Sequence, residues 1–209
     1  MLSILLKTFS IALSYPTPSL FDAMKTGDLV HVLRDETELF SNNETLLALI
    51  AETENGIQSI VDSGLQSLES DYISLFEANH EYPPVHMYAN LYNSNKEDRI
   101  GVMQRLHSLY QQFGLSIKQG GEGDHPDHLV IQLEFMAYLL QRLNDADVND
   151  LEQRDTLQNC IQEFSQELLW IPNFLTALEQ HPSHPFYTSL VRLLNELVSN
   201  PSISLGLSD

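Results

Sequence analysis

The sequence predicts an all-α fold, a compact bundle of roughly eight to ten helices. Three observations carry that prediction. Apolar residues recur at every third or fourth position through most of the 209 residues. No stretch alternates apolar and polar residues as a half-buried strand would. The breaks between periodic segments fall mainly at proline and glycine, which end helices. A hydrophobic fraction of 43% supports a sizeable core, and the length suits one domain. No repeat of solenoid period is present.

Leu2, Leu5, Leu6, Phe9 and Leu13 lie near one face of a first helix. It ends before Pro16, because a residue preceding proline avoids the helical region. The same run resembles the core of a secretory signal. Lys7 interrupts it, however, no basic residue precedes it, and no small-x-small cleavage site follows. Pro18 to Leu33 reads as a short second helix with Gly27 as its break. Asn42 to Leu68 has helical spacing, made irregular or broken by Gly56 and Gly64. Tyr72, Leu75 and Phe76 carry that face onward.

A loop follows and closes on Tyr82-Pro83-Pro84, since a double proline cannot enter a helix interior. Val85 to Tyr88, with Leu91 and Tyr92, then presents aromatics and a thioether, either as adaptable contact groups or as core. Asn95 to Phe113 is a helix buried through Ile100, Met103, Leu106, Tyr110 and Phe113, stopped by Gly114. Asp155 to Trp170 is another, with Leu157, Ile161, Phe164, Leu168 and Leu169 inside. Trp170-Ile171-Pro172 marks a kink, and Phe186 to Val198 forms the last helix.

The chain is organised around Gly120 to Leu143, a glycine-rich acidic loop that runs into its most apolar helix. Pro126 fits a first helical turn, with Asp124 or His125 as cap and Asp127 favourably placed on the helix dipole. Leu129, Leu133, Met136, Leu140 and Leu143 form one stripe; Ile131, Phe135 and Tyr138 form a second. A helix apolar on two faces lies inside a domain. The loop ahead of it is then both a hinge and a binding edge. The expected organisation is a single unit of 1–209, with an N-terminal segment of residues 1–118, a hinge at 119–127 and a C-terminal segment of residues 128–209. Glu134 stands within the apolar helix. It has either a structural partner or a role in recognising a cation that enters the cleft.

The formal net charge is −19, from 29 acids and 10 bases, and no Lys or Arg occurs between Asp35 and Asn95. Such a surface repels nucleic-acid phosphate and anionic lipid and attracts a basic peptide; solubility alone is the other reading. The one cysteine, Cys160, can form no internal disulfide and reads as a buried, inert thiol. No stretch is long and apolar enough to span a bilayer. His125 and His128 are three apart, as two ligands on a helix face could be. Pro126 divides them, though, and the His-Glu-x-x-His pattern is absent. They read as caps and groove lining, so neither metal nor cofactor is expected. No phosphate-binding loop, dinucleotide fingerprint or nucleophile elbow appears, and no catalytic residue is expected.

Asp124-His125-Pro126-Asp127-His128-Leu129, with Leu133-Glu134-Phe135-Met136, resembles the hallmark of the TorD family of molybdoenzyme maturation chaperones. Three further stretches are similar to family patterns: Asp71-Tyr72-Ile73-Ser74-Leu75-Phe76; Pro83-Pro84 with Tyr88 and Tyr92; and Trp170 to Phe174 followed by Phe186-Tyr187. Val85 stands where the family has tyrosine after the prolines, Gln132 where glutamate is commoner, and Glu77-Ala78 where glycine is frequent. The resemblance implies an all-helical, cytoplasmic, non-catalytic chaperone. Its partner would be the catalytic subunit of a molybdopterin oxidoreductase, bound through a twin-arginine signal peptide. An assembly chaperone of the NarJ type, serving a non-exported enzyme, is the alternative, and a metal-dependent enzyme using the two histidines a third. The chaperone would be a monomer or a domain-swapped dimer. By position in the motif, Asp124, His125, Pro126, Asp127 and His128 are the implied peptide contacts. Tyr72, Phe76, Tyr82, Pro84, His86 and Tyr88 are the implied groove lining.

Overall fold

The computed structural model describes residues 2–38, 44–77, 83–92, 99–117, 125–181 and 185–199. Among these the chain forms ten α-helices and no strand. They are α1 (Leu2–Ala12), α2 (Pro18–Thr26), α3 (Asp28–Glu38), α4 (Glu44–Ser63), α5 (Leu65–Tyr72), α6 (Arg99–Gln112), α7 (Leu129–Asp145), α8 (Leu151–Ser165), α9 (Ile171–Glu179) and α10 (Pro185–Ser199). No described helix is long and apolar enough to cross a membrane.

The boundaries follow local chemistry. Thr17 caps α2, its hydroxyl accepting from the Leu20 amide, with Pro18 in the first turn where no N–H is needed. Gly27, at φ 81°, takes the left-handed conformation that ends α2, so the expected second helix is two. Gly64, at φ 92° and ψ 164°, separates α4 from α5 in an extended positive-φ conformation open mainly to glycine. Gly56 does not break α4. It lies where α4 crosses α10, and a Cβ there would fall 2.9 Å from the Phe186 Cα, so its missing side chain is what allows the close approach. After α5 the chain makes a π-helical turn, Ile73–Glu77, a geometry with one extra residue in the ladder.

The core has two long helix pairs at its centre. α7 packs along α1 and against α8, and α10 packs along α4 and against α9. Leu129, Leu133, Met136 and Leu139 of α7 are fully buried, as are Leu5 and Phe9 of α1. Arg192 on α10 reaches Glu52 of α4 at 2.5 Å and Glu179 of α9 at 2.9 Å, tying three helices together.

Four expectations are corrected. α7 begins at Leu129 with His128 as its cap, so Pro126 and Asp127 belong to the turn before it. α6 is rotated from the expected face: Val102, Leu106 and Tyr110 are buried, whereas Ile100 is 64% exposed. Leu169 is likewise outside, because α8 ends at Ser165 and a 3-10 turn redirects the chain. Glu134 is on the outer side of α7, paired with Lys7, and not in the interior.

Candidate functional site

The centre of the site is the turn from His125 to His128. The His128 amide donates to the His125 carbonyl at 3.0 Å, closing the turn. His128 then caps α7, its Nδ1 accepting from the Val130 amide at 3.3 Å. That bond requires a neutral imidazole. Burial supplies one, pushing the His128 pKa down to about 4; His125 adds to the effect and the Asp127 carboxylate opposes it. The Tyr110 hydroxyl donates to the Pro126 carbonyl at 2.7 Å and fastens the turn to α6.

Pro83–Tyr92 crosses this turn as a strap. The Ala89 amide donates to the Asp127 carbonyl at 3.0 Å and the Leu129 amide to the Met87 carbonyl at 2.8 Å, making an isolated antiparallel bridge between Tyr88 and His128. The Asp127 carboxylate is wholly buried and takes two donors from Asn90 through one oxygen, the backbone amide at 3.1 Å and the side-chain amide. Its other oxygen is buried without a hydrogen-bond partner. Farther along, the Tyr92 ring stacks on Trp170 at 5.4 Å. The Trp170 indole donates to buried Gln132 at 2.9 Å, and the Asn173 amide to the Tyr92 carbonyl at 3.3 Å. Burial pushes the Tyr92 phenol up to about 12, although the His86 amide bonded to it opposes the shift. The strap is thus held by the start of α7 on one side and by α9 on the other.

The predicted site residues divide in two. His125 and Pro84 are exposed, and His86 and Tyr88 half-buried. The His125 ring lies edge-on to Tyr88 at 5.5 Å. These four form a surface. Pro126, Asp127, His128, Tyr72 and Phe76 are buried beneath it. Tyr72 and Phe76 join Tyr187 in an aromatic cluster, at 6.1 and 5.3 Å, and the Tyr72 hydroxyl meets the Met87 sulfur at 3.9 Å. In this conformation Asp127, His128, Tyr72 and Phe76 shape the surface and do not form it, whereas Pro126 also lines the cleft beside α6. Asp124 and Tyr82 lie outside the described residues.

The structure adds residues that the sequence alone does not select. Ile100, Met103, Gln104 and His107 of α6 face His125 and Pro126 across an open cleft of about 420 Å³. No signal in the sequence marks it, because Ile100 and Met103 share the helical spacing of buried Leu106. Among the described residues no group of three His, Cys, Asp or Glu side chains could hold a metal ion. Cys160 is half-buried, and burial pushes its thiol pKa up, away from the reactive thiolate.

The described residues thus present an exposed histidine, a half-buried tyrosine and an apolar cleft side by side. Residues 37–176 match the family described as nitrate reductase delta subunit, and the chain belongs to that family. It is 32% identical over 158 residues to the chlorate reductase assembly chaperone protein of Ideonella dechloratans, covering 74% of this chain and 78% of that one. The selenate reductase assembly chaperone protein of Thauera selenatis is 31% identical over 160 residues, with 74% and 78% covered. A TorD chaperone of Vibrio vulnificus is 26% identical over 162 residues, with 74% and 72% covered. The resemblance to the TorD family stands on these matches, and the relatives bear the names of chaperones, not catalysts. A redox enzyme maturation protein from Archaeoglobus fulgidus has the same fold, with a TM-score of 0.55 at 18% identity over 95% of this chain and 94% of that one.

Proposed function

We propose that this protein is a cytoplasmic maturation chaperone for a molybdopterin oxidoreductase subunit. It binds the client's twin-arginine signal peptide and some of its body, and delays export until the cofactor is inserted. One observation carries the reading: His125, edge-on to the half-buried Tyr88 of the strap, lines an apolar cleft with Ile100 and Met103. Relatives named as assembly chaperones for chlorate and selenate reductases support it. In sequence Glu122 and Asp124 directly precede His125, and the whole chain carries a net charge of −19. Those charges draw a cationic leader, and the attraction weakens with salt. Asp127 acts indirectly, by holding the strap that displays Tyr88. The chain works as one unit.

A second reading has a specific observation behind it. The matching family is described as nitrate reductase delta subunit, and an assembly chaperone of the NarJ type would serve a non-exported client whose N-terminus carries no functional arginine pair.

The test begins with the client, identified by mass spectrometry after affinity capture from native cells. Its leader peptide is then titrated calorimetrically against the wild-type chaperone. Asp124→Asn should weaken binding roughly threefold, with a smaller salt dependence. Asp127→Asn should lower both thermal stability and binding, because it loosens the strap. A leader that binds equally well with both arginines changed to alanine removes the twin-arginine claim and favours the second reading.

A further inference from the structure

Glu134 is left unused by the surface just described. It stands on the outer side of α7, and the Lys7 ammonium of α1 lies 2.5 Å from its carboxylate. The two side chains are 52% and 47% exposed. Two open cavities, of about 410 and 420 Å³, meet at Lys7, Glu134 and Tyr138. One runs between α1 and α7 past Ile4 and Ala137. The other runs between α7 and the stretch Leu115 to Ile117, past Val130 and Ile131. Together they make one groove from Val130 to Gln141, on the order of 16 Å at the helical rise per residue, or about three helical turns. Its walls are mostly apolar, Ile4 is 47% exposed on one of them, and a single ion pair bridges its middle.

We infer that this groove seats the apolar run of the client leader, and that Lys7 holds, in the free protein, the place on Glu134 that an arginine of the leader takes. The inference rests on the chaperone reading above and locates its direct contact. Three arguments support it. The groove begins beside the motif, because Val130, whose amide His128 caps, lines it. A half-exposed lysine–glutamate pair contributes little stability and is readily exchanged. An arginine replacing Lys7 gains, since its planar fork can give a carboxylate two parallel hydrogen bonds where an ammonium is a point charge. The negative charge ahead of His125 attracts the leader; Glu134 and the apolar walls hold it.

The test uses the full chain and a synthetic fluorescent peptide with an Arg-Arg pair followed by a leucine- and alanine-rich run. Lys7→Ala should tighten binding about threefold, by freeing Glu134. Glu134→Gln should weaken it about fivefold, and in that background Lys7→Ala should have no effect. Ile131→Ser should weaken binding and leave the preference for arginine over lysine in the pair. Thermal melts report whether each variant folds. If Lys7→Ala and Glu134→Gln bind as the wild type does, or both weaken binding equally, the groove is not the seat, and the chaperone reading survives. If the wild type binds no arginine-bearing leader at all, the twin-arginine reading falls with the groove.

Discussion

Gly56 and Gly101 are helical glycines for which one substitution should have opposite signs. In α6 nothing lies within 4 Å of where a Gly101 Cβ would sit. Gly101→Ala therefore keeps the propensity gain, up to about 1 kcal/mol. In α4 the Gly56 Cβ would fall 2.9 Å from the Phe186 Cα and 3.2 Å from its amide nitrogen. Those are backbone atoms of a buried residue, so α4 and α10 must separate. Overpacking of that kind costs about 1–3 kcal/mol and outweighs the same propensity gain. With the full propensity gain set against it, the expected net loss for Gly56→Ala is up to about 2 kcal/mol, or up to roughly 8 °C of Tm for a chain of this size. Gly101→Ala should raise Tm by a few degrees. Thermal melts and urea titrations followed by far-ultraviolet circular dichroism read both. A Gly56→Ala protein that melts above the wild type would refute the reasoning about this helix crossing.

Two further outcomes follow from the site. His128 titrates near 6.5 when unfolded and at about 4 when folded, so it favours the fold only while neutral. That stability is fully present above pH 6.5 and declines as pH falls from there to about 4, by about 3 kcal/mol in all. His128→Asn keeps a cap but removes the titration; its urea midpoint should fall less steeply in that window, and parallel curves would sink the claim. Trp170→Phe removes the indole donor to Gln132 and leaves a small void where Trp170 was buried, for a loss of about 2–4 kcal/mol at unchanged urea m-value.

Much of the fold is legible in the sequence because its signals are local. Gly27, Gly64 and Gly114 end helices by adopting positive φ, and each falls at a break in apolar spacing. Leu5, Leu6, Phe9 and Leu13 lie on the expected face of α1. Other positions depend on partners far along the chain. Gly56 looks like a flaw in α4 until Phe186 is placed against it. Ile100 and Met103 share a helical spacing with Leu106, yet Val102, Leu106 and Tyr110 offer a competing face, and packing selects that one. Pro126 imitates a first-turn proline; the hydrogen bonds that place it ahead of the helix come from Tyr110 and the strap. The motif itself is visible as an ionisable cluster. That Asp127 and His128 point inward is not, because burial of a carboxylate depends on Asn90, which lies 37 residues earlier.

Besides its anchor on Leu75, through the Val85 amide, the strap from Pro83 to Tyr92 is attached at two stations, Asp127 with Leu129 and Trp170 with Asn173. A ribbon stapled to two beams prevents them from sliding independently. The front of α7 and the front of α9 must travel as a single rigid block while those staples hold. If two copies trade segments, the trade is easiest where the chain is not stapled, and each copy would keep its own strap, α7 and α9 as a resident unit.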